Sequence, residues 1–173
     1  MAITCGNTMV MKPSEVDPTC GVMLAELASE AGVPNGVVNV IHGKHDTVNF
    51  MCEHPAIKAI SFVGGNQAGE YIFAKGTANG KRVQANLGAK NHACILPDAN
   101  RDDATNQLTA AAFGAAGQRC MALTTCVFVG EAKEWVQDIK EKASKLTVGA
   151  GINNPDIGRI IYDAIIILIK VIL

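Results

Sequence analysis

Cys120 stands in Gly117-Gln118-Arg119-Cys120-Met121-Ala122, with small residues from Ala110 to Ala116 leading in and an apolar run, Thr124 to Val129, leading out. A cysteine among small and flexible neighbours, with a guanidinium beside it, has the makings of a nucleophile. A nearby cation favours thiolate over thiol, and the thiolate is the species that attacks. A lone cysteine is more often a small buried apolar side chain, so this assignment needs support from the rest of the chain. Arg119 could stabilise that thiolate, bind a carboxylate in a forked hydrogen bond, or be a surface or interface arginine.

Two other stretches carry polar groups of chemical interest. Lys12 and Glu15 follow Met9-Val10-Met11; as residues alone they read as a solvated charge pair just ahead of a helix. Gly64-Gly65-Asn66 leads from an apolar run into a helical one. Such a glycine turn lets a phosphate approach backbone N–H groups at a helix N-terminus. It is not a GxGxxG fingerprint, and a plain strand-to-helix turn accounts for the glycines equally well.

The elements that must hold these residues alternate. Strands are expected at Met9 to Met11, Val37 to Ile41, Ile57 to Val63, Arg82 to Leu87, Ala93 to Leu96 and Thr124 to Val129. Between them, helices are expected from Pro18 (with Asp17 as N-cap), at Thr47 to Cys52, at Gln67 to Lys75, and from Arg101 to Ala116; one more runs from Glu131 to Leu146. In the first helix Cys20, Met23, Leu24, Leu27 and Ala31 form an apolar stripe expected to face a core. In the last, Ala132, Trp135, Val136, Ile139, Ala143 and Leu146 share one face, with Trp135 read as core. Strand–helix–strand alternation at this interval predicts an α/β fold with a doubly wound parallel sheet.

Composition agrees. Of 173 residues, 49% are apolar and 18% charged, which suits a buried parallel sheet. The net charge of −1 gives no electrostatic case for nucleic acid or an anionic membrane. Six cysteines without CxxC pairing or zinc-spaced histidines argue against a metal site and for a reducing compartment. Residues 159–173 are dense in isoleucine but interrupted by Asp163 and Lys170. They are too short for an ordinary membrane span of about 20 apolar residues.

Taken together and in order, Gly6-Asn7-Thr8-Met9-Val10-Met11-Lys12-Pro13-Ser14-Glu15, Phe62-Val63-Gly64-Gly65-Asn66, Leu87-Gly88-Ala89-Lys90-Asn91 and the Cys120 block resemble the aldehyde dehydrogenase superfamily. Val83 to His92 and Gly117 to Ala122 look like its CoA-acylating branch, the methylmalonate-semialdehyde dehydrogenases. The resemblance runs from residue 1 to about Gly158. It implies a partial NAD-binding domain over 1–88, Rossmann-like in its cofactor part. The start of the catalytic domain, with its nucleophile, would follow over 89–158, and then a divergent apolar tail, 159–173. Met1 resembles an internal methionine, so the chain is expected to be a fragment or truncated isoform.

The resemblance implies roles. Cys120 is the catalytic thiol. Lys12 and Glu15 bind the adenosine ribose of NAD; the family often has arginine at the next position, here Val16. Gly64 and Gly65 take the pyrophosphate, and Gly65 replaces the family's usual serine, whose lost hydroxyl implies weaker NAD affinity. Leu87 lies near the nicotinamide through its backbone. Arg119 binds the substrate carboxylate. Asn86 stands where hydrolytic members keep a glutamate that activates water, and a carboxamide cannot accept that proton. Coenzyme A, whose thiol ionises near pH ~8.5, needs less help and is the implied acyl acceptor. The implied reaction turns malonate or methylmalonate semialdehyde, NAD and CoA into acetyl-CoA or propionyl-CoA through a Cys120 thioester.

An oxyanion-stabilising asparagine upstream of Met1 and contacts downstream are also implied, so little turnover is expected of this chain alone. The alternatives are a non-catalytic truncated isoform and a hydrolytic aldehyde dehydrogenase. Family members are homo-oligomeric, an assembly in doubt for so short a chain. The animal members are mitochondrial, although Met1-Ala2-Ile3-Thr4-Cys5 shows no transit-peptide character.

Overall fold

The computed structural model describes residues 1–158; the isoleucine-rich segment 159–173 lies outside the described residues. The described chain is α/β, and its strands pair two by two, every pair parallel. It divides into one unit of Met1–Asn86 and another that begins at Leu87.

In the first unit β1 (Met9–Met11) pairs with β2 (Val38–Val40) across α1 (Thr19–Glu30). After α2 (His45–Glu53), β3 (Ala59–Val63) pairs with β4 (Arg82–Asn86) across α3 (Asn66–Ala78). Each pair is thus a strand–helix–strand crossover, the connection parallel strands require. α3 lies close on its sheet because Gly76 has no side chain. A Cβ there would come within 2.7 Å of Val83 and 3.3 Å of Ile60. Cys52, Gly69, Ile72 and Gly76 are buried around this contact.

α1 departs from expectation. Met23, Leu24 and Leu27 are exposed, and the inward side consists of half-buried Gly21, Val22, Ala25 and Ala28. The close approach explains it: a Cβ on Gly21 would stand 2.9 Å from Pro13 Cβ, so only a small-residue face fits against this loop. Nor is Asp17 the cap. The N-cap position is Pro18, without a side-chain hydrogen bond, and the preceding turn is held by Val16 N–H donating to Ser14 Oγ.

Lys81 is buried, and its Nζ donates to the carbonyls of His54 and Ile57 at 2.6 Å each, tying the end of α2 to the start of β4. Lys81→Met keeps the volume but takes the donor from the Ile57 carbonyl, while the His54 carbonyl keeps the Ile57 N–H at 3.1 Å. An unpaired buried group costs about 1–3 kcal/mol, so the urea midpoint is expected to fall by a corresponding amount. An unchanged midpoint would show water replacing the ammonium.

In the second unit β5 (Asn91–Ile95) pairs with β6 (Leu123–Phe128) across α4 (Arg101–Phe113). Asn100 caps α4 by accepting from Asp103 N–H at 3.0 Å, and Asp102 and Asp103 in the first turn suit its dipole. α4 ends at Phe113 rather than Ala116, because Ala115 and Ala116 turn left-handed (φ 52° and 54°) and Gly117 follows at φ 70°. The expected helix from Glu131 is likewise two pieces: a 3₁₀ segment, Gly130–Trp135, then α5 (Val136–Ser144). A 3₁₀ turn brings i and i+3 onto one line, which buries Ala132 and Trp135 together. α4 and α5 are joined by an Arg101–Asp138 fork (2.6 and 2.7 Å) and by Lys142 Nζ donating to Thr105 Oγ1 at 2.7 Å. A short parallel pair, β7 (Val148–Gly149) with β8 (Ile157–Gly158), closes the described chain.

Candidate active site

The polar residues singled out in the first unit follow the carboxyl ends of strands, where ligands of open α/β sheets bind. Beyond β1, Lys12 Nζ donates to the carbonyls of Pro13 (2.8 Å) and Gly43 (3.0 Å) and lies 3.6 Å from Glu15 Oε2. The lysine is half-buried, and Glu15 and Val16 are exposed. A hydrogen bond from its own backbone N–H, with Lys12 and Lys44 nearby, holds the Glu15 carboxyl below the usual carboxylate range, so it stays anionic at neutral pH. Lys12 and Glu15 are therefore one constellation that also binds the loop after β2.

Beyond β3, Gly64 N–H donates to Asn86 C=O at 3.2 Å, and the Phe62 ring lies over Gly64 where a Cβ would stand 2.6 Å from it. Gly65 is the N-cap of α3, with extended φ/ψ (−70°, 153°) and no side-chain cap bond. Nothing lies within 4 Å of a Cβ built on it. An N-terminus without a side-chain cap, opening onto free space, fits a phosphate. Asn86, the exposed last residue of β4, pairs with Val63. Leu87, half-buried, begins the second unit.

In that second unit the left-handed run 115–117 swings the chain off α4 into the Cys120 loop. Cys120 is exposed. Arg119 turns back: its Nη2 donates to the carbonyls of Ala110 (2.8 Å) and Ala111 (3.2 Å) at the end of α4. Gly114 permits this, since a Cβ there would lie 2.5 Å from that nitrogen. Arg119 Nε and Nη1 make no hydrogen bond among the described residues. Ala122 N–H donates to Arg119 C=O at 2.9 Å, closing the turn that carries Cys120. Asn91, which the sequence marked only as part of a motif, donates its side-chain amide to the carbonyls of Cys120 (2.7 Å) and Ala122 (2.9 Å). Cys94 is exposed; Cys126 is half-buried and desolvation pushes its thiol up, away from thiolate chemistry. A cleft of about 570 Å³ lined by Phe113, Gly114, Arg119, Lys142 and Leu146 does not include Cys120. Among the described residues no three His, Cys, Asp or Glu side chains are grouped to hold a metal, and no helix is long and apolar enough to cross a membrane.

The sequence profile of the aldehyde dehydrogenase family matches residues 1–165. The chain belongs to the aldehyde dehydrogenase family. Among the relatives of this aldehyde dehydrogenase chain, a rat protein is 62% identical over 151 residues, covering 87% of this chain and 28% of its own. It is named methylmalonate-semialdehyde/malonate-semialdehyde dehydrogenase, acylating, mitochondrial. An Aedes aegypti protein described as a probable enzyme of the same name is 61% identical over 162 residues, covering 93% of this chain and 31% of its own. A crystal structure of methylmalonate-semialdehyde dehydrogenase from Oceanimonas doudoroffii superposes with a TM-score of 0.85 at 47% identity, covering 91% of this chain and 33% of that one. An enzyme from Sinorhizobium meliloti assigned the same name, complexed with NAD, gives 0.87 at 41% identity, with 94% and 34% covered. The chain thus spans about a third of the length of the relatives it matches.

Proposed function

We propose that these residues serve the NAD-dependent oxidation of malonate or methylmalonate semialdehyde with transfer of the acyl group to coenzyme A. The observation that carries this is an exposed thiol in a hydrogen-bonded turn, Cys120. The resemblance adds a carboxamide, Asn86, at the sequence position where it implies that water-using relatives keep an acid. The names of relatives at 61–62% identity support the substrate class.

Lys12 and Glu15 would hold the adenosine ribose of NAD, the N-terminus of α3 at Gly64-Gly65 its pyrophosphate, and Leu87 the nicotinamide side; when bound, NAD accepts the hydride. The rest belongs to the chain. The Cys120 thiolate adds to the aldehyde carbon, forming an S–C bond, and the backbone N–H of Cys120 donates to the oxyanion. Loss of hydride from that carbon leaves a Cys120 thioester. Arg119 would meet the substrate carboxylate through Nε or Nη1. A carboxylate β to the thioester carbonyl leaves as carbon dioxide because the remaining electron pair delocalises into that carbonyl. The resulting enolate takes a proton from water at the α carbon to give the acetyl or propionyl thioester. The coenzyme A thiolate then attacks, and the Cys120 thiolate departs. By the same resemblance the reaction takes place in mitochondria; homo-oligomer assembly is a feature of the full-length members, and this chain spans about a third of their length.

Calorimetric titration with NAD tests the nucleotide half. Gly65→Ser fits without a clash and returns a hydroxyl to the helix N-terminus. One added hydrogen bond to a charged group is worth about 1.5 kcal/mol, so NAD is expected to bind roughly 10-fold tighter. No NAD heat in either form would sink the roles given to Lys12, Glu15, Gly64 and Gly65.

A further inference from the structure

The carbonyls of Cys120 and Ala122 both accept from one side chain, Asn91, which reaches them from the first residue of β5. The two positions meet because β5 and β6 are parallel, which sets Asn91 opposite Leu123 at the end of the nucleophile loop. Asn91 is itself held, its backbone N–H donating to Thr124 Oγ1 at 3.2 Å, and it is only half-exposed. At the other end of the loop, Arg119 Nη2 grips the last carbonyls of α4. Between these points lie the thiol and the N–H that would meet the oxyanion.

We propose that Asn91 is a positioning residue for Cys120. Its carboxamide fixes the peptide that follows the thiol, so that sulfur and oxyanion donor keep one mutual geometry. The carboxamide is suited to the task because it offers two N–H donors from a single nitrogen, one for each carbonyl. A hydroxyl has only one, and a carboxylate would repel both. This rests on the reading of Cys120 as an acyl-carrying nucleophile, although the brace itself is a property of the loop. Acyl transfer needs both sulfur and oxyanion donor in place, whereas simple alkylation needs only the thiolate. The proposal therefore predicts a split between the two reactions.

The 173-residue chain is compared with Asn91→Leu and Asn91→Asp, both lacking the donating amide, and with Thr124→Val, which cuts only the backbone tie. Hydrogen exchange at the Ala122 amide is followed by mass spectrometry. In the same samples Cys120 is acylated with p-nitrophenyl propionate and alkylated with iodoacetamide, with exposed Cys5 and Cys20 as internal references. Expected in both Asn91 variants is Ala122 exchange faster by about 10-fold, the scale of two lost hydrogen bonds. Cys120 acylation should be slower by about 10-fold, with alkylation within about 2-fold of the parent. Thr124→Val should leave all three near the parent values. The proposal is overturned if exchange and acylation are unchanged in both Asn91 variants, or if acylation and alkylation fall together as the whole unit loses stability. If exchange accelerates but parent Cys120 acylates no faster than Cys5 and Cys20, the brace stands and the function proposed for Cys120 falls.

Discussion

In a full-length relative, the substitution matching Cys120→Ala is expected to lower NADH formation from methylmalonate semialdehyde, NAD and CoA by about 10⁴-fold or more, the scale on which removing a nucleophile acts; this chain alone is expected to turn over little. No other described cysteine is placed to substitute. Cys52 is buried and desolvation pushes its thiol up, as it does for half-buried Cys126. Cys5, Cys20 and Cys94 are exposed; at Cys5 the Asn7 amide donates to the Ala2 and Cys5 carbonyls, but at 3.3 Å each, longer than the 2.7 and 2.9 Å bonds from Asn91 to Cys120 and Ala122. The decisive readout is single-turnover: the mass of the peptide containing Cys120 after mixing with semialdehyde and NAD without CoA. An acyl adduct on that peptide, absent in the alanine variant and discharged on adding CoA, is the expected result. NADH formation that survives the substitution would move the nucleophile elsewhere.

Much of this was legible before any coordinates. The strand runs at 59–63 and 123–128 are β-branched or apolar enough to declare themselves, 82–86 (Arg82-Val83-Gln84-Ala85-Asn86) followed from its place after a helix, and parallel pairing followed from the helices between them. Asn100 with Asp102 and Asp103 marks the start of α4. What periodicity could not supply was direction. A stripe of Met23, Leu24 and Leu27 has the spacing of a core face, yet it lies outside because glycine and alanine are what the Pro13 loop admits. The end of α4 was hidden because alanines favour helix, and the left-handed turn at Ala115 and Ala116 runs against their local preference. It costs on the order of 1–2 kcal/mol per residue, offset by the hydrogen bonds the reversed loop makes.

The site shows the same division. Adjacency in sequence put Arg119 beside Cys120, but adjacency does not say where a guanidinium goes; its Nη2 goes to Ala110 and Ala111. Asn91 carries the reverse lesson. It is 29 residues from Cys120, and only the parallel pairing of β5 with β6 brings it there. Lys12 and Glu15, three apart in one turn, were the pair whose contact spacing alone could suggest.

Asn86→Glu is the sharper test of acceptor choice. The Asn86 carboxamide cannot take a proton from water at neutral pH, so on the proposed assignment an acyl-Cys120 should persist until a thiol arrives. A thiol is already partly ionised and needs no base. Glutamate at the same exposed position adds one methylene and a carboxylate, and the Gly64 N–H bond to the backbone carbonyl of residue 86 does not depend on the side chain. General-base assistance contributes about 10²–10⁴-fold. CoA-independent release of free acid from acyl-Cys120 is therefore expected to rise by at least about 100-fold, with the CoA-dependent rate little changed. The gain should also follow pH, appearing as the new carboxyl ionises and flattening above its pKa, because only the carboxylate accepts the proton. Two results would overturn the assignment of residue 86. One is acid release from the unaltered chain already as fast as transfer to CoA, which means water is being activated elsewhere. The other is no gain from glutamate while Cys120 still acylates normally, which means residue 86 does not reach the thioester.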